Sequence, residues 1–341
     1  MTSQERLSPL APRPDHTALT KALETFDDFV DAEVGDTTQQ RARNLERETG
    51  LRQIYLKFEG GNPTGTQKDR VAFTMVRDAL RRGYEAITVA TCGNFGAALG
   101  YAARIAKVRA VAFVPETFST RRATEMEATG THVVRVPGTY EDAVMVSRER
   151  AAIHEWYDAN PGSENGDLQL EAYAGIAYEI FDELRDAPAA VAVPVSNGTT
   201  LAGIHHGFMR LERRGKISRV PRMIGASTYR KNPIVRSFVN NIPECVDLDP
   251  AEAKETGINE PLVNWHAFDG QLALDAIRSS GGWAGDATDK AMLTHARLLR
   301  EREGLDVLPA STSALAVLLK GHAQNPLPPD RYVVVLTGRR G

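Results

Sequence analysis

Residues 57–70 read Lys-Phe-Glu-Gly-Gly-Asn-Pro-Thr-Gly-Thr-Gln-Lys-Asp-Arg, a run of turn formers that opens directly into an amphipathic helix. Ala72, Met75, Val76 and Ala79 share one face of that helix, and Gly83 stops it. Thr66 and Asp69 have the spacing of a capping box, which predicts a helix beginning at Thr66 with Lys68 in its first turn. The N-terminal end of a helix is positive and disfavours an ammonium group by a few tenths to about 1 kcal/mol. An amine biased towards its neutral form is what carbonyl chemistry needs, because only the free amine attacks an aldehyde to form a Schiff base. A solvated surface lysine beside Asp69 and Arg70 is the bland alternative. A phosphate-cradling P-loop is excluded, since it places Lys directly after its last glycine and here Thr66 and Gln67 intervene.

Two further loops carry donors. Thr91-Cys92-Gly93-Asn94-Phe95-Gly96 follows a predicted strand over 86–91 and opens a helix over 94–107. Backbone N–H groups at such a start bind a carboxylate or phosphate, and Asn94 adds a side-chain donor. Gly93, Gly96 and Gly100 lack the dinucleotide spacing, yet Glu116 follows about 20 residues on, where a ribose-binding acid would stand. Taken alone, this loop leaves a dinucleotide enzyme open. Ser196-Asn197-Gly198-Thr199-Thr200 lies between a buried strand over 189–195 and a helix over 201–214. Such a run wraps a phosphate with N–H and O–H donors, or is a plain βα turn with an N-cap. A last strand over 332–336 delivers Thr337 and Gly338 to the same edge, where a hydroxyl can meet a ring nitrogen.

The elements that must position these loops alternate in βαβ rhythm. Strands are predicted over 86–91, 110–114, 132–136, 189–195, 222–226 and 332–336. Helices are predicted over 94–107, 120–129, 140–154, 171–184, 201–214, 288–303 and 311–319, with a long irregular connection over 240–268. Alternation of this kind implies an α/β protein: two three-layer αβα domains with mostly parallel sheets, whose ligands sit beyond the carboxyl ends of the strands. The turn-dense run 157–167 divides the chain into domains of residues 1–156 and 157–341, with the N-terminal segment packing on the second.

Composition sets the outer limits. The chain has 341 residues, room for about two domains, with 41 Lys plus Arg against 44 Asp plus Glu. A net charge of -3 supplies no field for gathering DNA or anionic lipid, so the expected partner is a small molecule and not a nucleic acid. No apolar run reaches the roughly 20 residues of a membrane span, and the first residues lack the pattern of an export signal, which favours the cytoplasm. Two cysteines, Cys92 and Cys245, make neither a disulfide framework nor a zinc set. His205 and His206 point about 100° apart on one helix and read as packing or surface residues, so no metal site is expected.

Together the Asn62–Arg70 run, the Gly93-Asn94 loop, the 196–200 run and Thr337-Gly338 resemble, in this order, the fold-type-II pyridoxal-phosphate enzymes, with the threonine synthase and cysteine synthase groups nearest. The resemblance runs from about Gly35 to the C-terminus and implies a fold like that of the tryptophan synthase beta subunit. It implies pyridoxal 5'-phosphate as cofactor, with Lys68 as its Schiff-base lysine and the catalytic base. Asn94 would meet the ring hydroxyl, while Ser196, Asn197, Gly198, Thr199 and Thr200 would hold the phosphate. Thr337 would face the pyridine nitrogen. Thr91, Cys92, Gly93, Asn94 and Phe95 would receive the carboxylate of a small amino-acid substrate. The implied activity is a threonine-synthase-like lyase or synthase working by β- or γ-elimination or replacement. A β-replacement synthase of the cysteine or cysteate type and a serine/threonine dehydratase-type deaminase are the alternatives, and a Rossmann-like nucleotide-binding protein is one from another class. A homodimer is expected. One departure bears on the substrate: Gln169 stands where threonine synthases carry an arginine for the substrate phosphate, and a neutral amide does not replace a guanidinium clamp.

Overall fold

A computed structural model describes residues 16–116 and 121–340. The chain forms α1 (His16–Glu33), β1 (Gln39–Arg41), α2 (Arg43–Thr49), β2 (Ile54–Phe58), α3 (Lys68–Arg81), β3 (Ala86–Ala90), α4 (Asn94–Ala106), β4 (Arg109–Pro115), α5 (Arg121–Ala128), β5 (His132–Val136), α6 (Tyr140–His154) and β6 (Tyr157–Asp158). It continues with α7 (Gly166–Leu184), β7 (Ala190–Pro194), α8 (Thr199–Arg213), β8 (Arg222–Thr228), α9 (Pro233–Val239), α10 (Gly270–Ser279), β9 (Trp283–Ala287), α11 (Asp289–Glu303), α12 (Ser313–Gln324) and β10 (Tyr332–Leu336).

Two sheets result. One has the order β5-β4-β3-β6 with every pair parallel; the other has the order β1-β2-β10-β7-β8-β9, parallel except for the β1–β2 pair. Strands β3, β7 and β10 are buried along their whole length, the state of strands covered on both faces by helices. Their pleat divides the core. Val191, Val193, Val333 and Val335 join a large cluster that also takes Ile87 and Val89 of the other sheet. Ala190, Ala192, Tyr332, Val334 and Leu336 point to the opposite face, towards Leu315 and Leu318 of α12.

The sheets do not divide where the turn-dense run does. Tyr157 pairs with Ile87, so β6 extends the first sheet past residue 156. The run that follows is not a linker either: Asn160 is fully buried, accepts from the Ala90 N–H at 2.7 Å and donates to Ser147 and Asp158. Helix α7 begins at Gly166, five residues earlier than its apolar period indicates. At the other end, β1 and β2 precede the first sheet in sequence but lie in the second, where Ile54 pairs with Tyr332. The beginning of the described chain therefore folds onto its end.

Candidate functional site

The carboxyl ends of the parallel strands open on a cleft of about 200 Å³. Lys68, residues 91–95, residues 196–200, Thr337 and Gln169, the residues that the resemblance assigns to chemistry, line it together. One sheet supplies the 91–95 loop after β3, and the other supplies the 196–200 loop after β7 and Thr337 after β10.

Lys68 is set by a strap between the segments that follow β2 and β10. The Gln67 N–H donates to the Thr337 carbonyl at 2.9 Å, the Arg339 N–H donates to Gly65, and Thr66 bridges to Gly338. The Arg339 guanidinium donates to the carbonyls of Gly60 and Pro63, clamping the turn that precedes the helix. Helix α3 starts at Lys68 itself, and the expected capping box is not formed. The Thr66 hydroxyl caps one position earlier, accepting from the Lys68 N–H at 3.3 Å, while Asp69 accepts from the Thr64 N–H at 3.0 Å and its hydroxyl at 2.8 Å. Burial pushes the Asp69 carboxyl up to about 6 against those bonds. The Lys68 ammonium lies 5.4 Å from the Phe95 ring centre and 5.9 Å from that of Tyr173.

Unpaired donors converge on the cleft. Lys68 Nζ, the Asn94 amide and the hydroxyls of Thr200 and Thr337 make no hydrogen bond with any described residue, and the backbone N–H groups of Asn94, Phe95, Gly198, Thr199 and Thr200 find no acceptor among them. Gly198 takes φ 96°, and a Cβ there would stand 2.8 Å from Ala273 and 2.9 Å from the Asp269 carbonyl, so only glycine lets the amides after it turn inward. Amides left open at two helix starts, both at the edge of one cleft, are the donor set of two anions. Open amides at 198–200 and 94–95, a hydroxyl at Thr337 and an amine at Lys68 fit the cofactor and the amino acid that the resemblance implies. The rest of the cup is braced from outside. Thr199 gives its hydroxyl proton to Asp269 at 2.5 Å, Ser196 donates to Asn264, and the Asn197 amide donates to the Tyr140 hydroxyl at 3.3 Å. Thr91 is likewise internal to its loop, accepting from the N–H groups of Gly93 and Gly96 at 3.0 Å each.

Several lining residues carry no sequence signal. Glu260, Pro261, Leu262, Val263 and Asn264 enter from the irregular connection, which has no period by which to place them. Glu260 meets Cys92, and burial with the nearby Glu255 pushes its carboxyl up to about 7. Burial, then Glu260, Glu141 and Glu255, push the Cys92 thiol well up. Gln169, 2% exposed, donates through Nε2 to the Asn160 carbonyl at 2.9 Å. Other candidates stay away from the cleft. Glu116 is exposed beyond β4, which leaves the dinucleotide reading without its acid. His205 and His206 lie on α8, where burial and the neighbouring His206 lower the His205 value. Cys245 packs beside Gly270.

Residues 30–338 match the family model described as pyridoxal-phosphate dependent enzyme. The chain is 33% identical over 313 residues to threonine synthase of Methanocaldococcus jannaschii, covering 90% of this chain and 75% of that one. It is 31% identical over 291 residues to threonine synthase of Mycobacterium leprae, covering 84% and 76%. Among solved structures, maize serine racemase superposes with a TM-score of 0.76 at 16% identity over 97% of this chain and 96% of that one. The T.th. threonine deaminase does so with a TM-score of 0.76 at 20% identity over 96% and 99%. At such identities the likeness is one of fold.

Proposed function

The chain belongs to the pyridoxal-phosphate dependent enzymes, and on that premise we propose that it is a threonine-synthase-like lyase or synthase that removes or replaces a β- or γ-substituent of a small amino acid. The observation that carries this reading is Lys68, an amine without a hydrogen-bond partner among the described residues, placed where the open amides of two helix starts meet.

Lys68 would anchor the cofactor covalently, residues 196–200 its phosphate, Asn94 its ring hydroxyl and Thr337 its ring nitrogen. When bound, the cofactor supplies an electron sink for charge at the substrate's Cα. The N–H groups of Asn94 and Phe95, with Cys92 and Gly93 beside them, orient the substrate carboxylate. Once the substrate amine has displaced it from that anchor, the free Lys68 Nζ would remove the Cα proton and hold it for return. Thr337 offers a neutral hydroxyl, which cannot hold a positive charge on a ring nitrogen as a carboxylate does. That weaker sink favours reactions in which a leaving group relieves the carbanion. Gln169 presents a neutral amide where a phosphate clamp is needed, and Arg122, which also lines the cleft, is engaged by Glu125 and the Thr64 carbonyl. These two observations favour a leaving group other than phosphate, as in a β-replacement synthase or a dehydratase-type deaminase. The charge balance supports a small-molecule partner without nucleic acid, the free cysteines Cys92 and Cys245 support a cytoplasmic setting, and the resemblance supports a homodimer.

The purified protein is expected to show the visible absorbance of bound pyridoxal phosphate. Lys68→Ala should lose that absorbance and the activity together, with turnover down by at least about a thousandfold. A wild-type protein that stays colourless after incubation with the cofactor refutes the reading.

A further inference from the structure

Glu260 is a carboxylate of the cleft that the roles above leave unused. It enters on the 3-10 turn Glu260–Leu262 and lines the cleft together with Cys92. Among the described residues no Lys, Arg or His pairs with it. The groups that face this pair from neighbouring segments are Glu255 on the same connection and Tyr140 and Glu141 at the start of α6, all acids. The cations lining the cleft are Lys68, committed to the chemistry, and Arg122, held by Glu125. The Gln169 amide nitrogen is spent on Asn160.

We propose that Glu260 sets the charge this cleft accepts: the substrate is an amino acid with an uncharged or cationic side chain, and Glu260 works against one that carries a phosphate. The inference rests on the cleft being an amino-acid site. A phosphate brought beside an unpaired carboxylate meets like-charge repulsion and strips water from both groups, with no guanidinium to compensate. A hydroxyl or ammonium instead gives the carboxylate the donor it lacks. The selection is graded by pH, because burial and Glu255 place the Glu260 titration at about 7. Below that value a neutral acid tolerates an anion; above it a carboxylate repels one.

Cys92 provides the readout, independent of turnover. The holoenzyme is treated with iodoacetamide, and alkylation of the Cys92 peptide is followed by mass spectrometry in the presence of L-homoserine, L-2,4-diaminobutyrate or O-phospho-L-homoserine. About one pH unit above 7, the first two ligands should protect Cys92 at concentrations at least about tenfold below that of the phosphorylated one. The gap should narrow about one unit below 7. Glu260→Gln, similar in shape but uncharged, should close the gap at the higher pH and speed alkylation without ligand. It carries the phosphate's own titration as an internal control, and its bound-cofactor absorbance verifies the fold. The proposal is overturned if O-phospho-L-homoserine protects the wild type as well as L-homoserine does at the higher pH, or if Glu260→Gln leaves the ratio unchanged. If no amino acid protects Cys92 and none perturbs the cofactor absorbance, the amino-acid reading of the cleft fails first and takes this inference with it.

Discussion

Asp69 shows how a single carboxylate serves the site from the residue beside it. It is fully buried, holds Thr64 by two hydrogen bonds and thereby fixes the turn from which Lys68 projects. Its value is raised by burial from 3.8 to about 6, so between those values the folded state binds more protons than the unfolded one. The sign follows: Asp69 favours the fold most at pH below its unfolded value, and that contribution is lost as pH rises through about 6. Asp69→Asn keeps one acceptor for Thr64 and removes the titration. Denaturant unfolding measured against pH should therefore show the variant with a flatter stability curve between about 4 and about 6. An unchanged slope there would mean that Asp69 is not buried as an acid. The expected cap residue, Thr66, does cap the first turn, but through the Lys68 N–H, and the carboxylate holds Thr64. The i, i+3 rule puts the Thr66 hydroxyl on the Asp69 N–H, whereas in a segment also bridged to Gly338 from the far end of the chain it meets the Lys68 N–H.

Among the elements, β2, α3 and α7 are locked by a buried charge network that holds the Lys68 turn in place. Arg70 forks onto Glu59 at 2.6 and 2.9 Å and onto Glu179 at 2.6 and 2.8 Å, while Lys57 reaches Glu179 and the Thr37 carbonyl at 2.5 Å each. Two cations are thus balanced by two carboxylates. Burial raises the Glu179 value, but the hydrogen bonds and charges of Arg70 and Lys57 outweigh it and hold the carboxyl at about 2. An acid lowered in this way stabilises the fold above its unfolded value of about 4.5, and the contribution is lost as pH falls towards about 2. Glu179→Gln leaves Arg70 and Lys57 with one counter-charge between them. It should cost about 3 kcal/mol at neutral pH in urea unfolding and weaken the acid dependence below about 4.5. Elements such as α4, β7 and α11 were legible because each carries its own period and stop. The network was not, since Lys57, Glu59, Arg70 and Glu179 are scattered along the chain and read locally as solvated charges. The same holds for residues 260–264, which reach the cleft from a segment whose sequence obeys no period at all.

At the scale of the whole molecule, the cleft exists only because two sheets of different chain segments face one another across it. Alternation in the sequence foretold parallel sheets beneath helices, but not that β2 would cross to lie beside β10 and so bring Thr337 against the Lys68 turn. That pairing is a long-range register choice, made by the burial of Ile54, Leu56, Val333 and Val335 on opposite faces of one sheet and not by any local signal. Its consequence is thermodynamic. A cofactor held as proposed, by Asn94 after β3 of one sheet and by Lys68, residues 198–200 and Thr337 from the sheet of β2, β7 and β10, would tie the two sheets together, so its binding energy would appear as stability of the whole chain. At a free concentration about a thousand times its dissociation constant, one bound ligand adds about 4 kcal/mol, which for a chain of this size shifts the unfolding midpoint by about 6 °C. Calorimetry of the apo and reconstituted forms should show one cooperative transition displaced upward by that amount. Lys68→Ala, which keeps the amide nests but loses the covalent anchor, should show a smaller displacement at the same cofactor concentration. Two resolved transitions, of which only one moves, would mean that the cofactor is held by one sheet alone and does not tie the sheet of β3 to the sheet of β10.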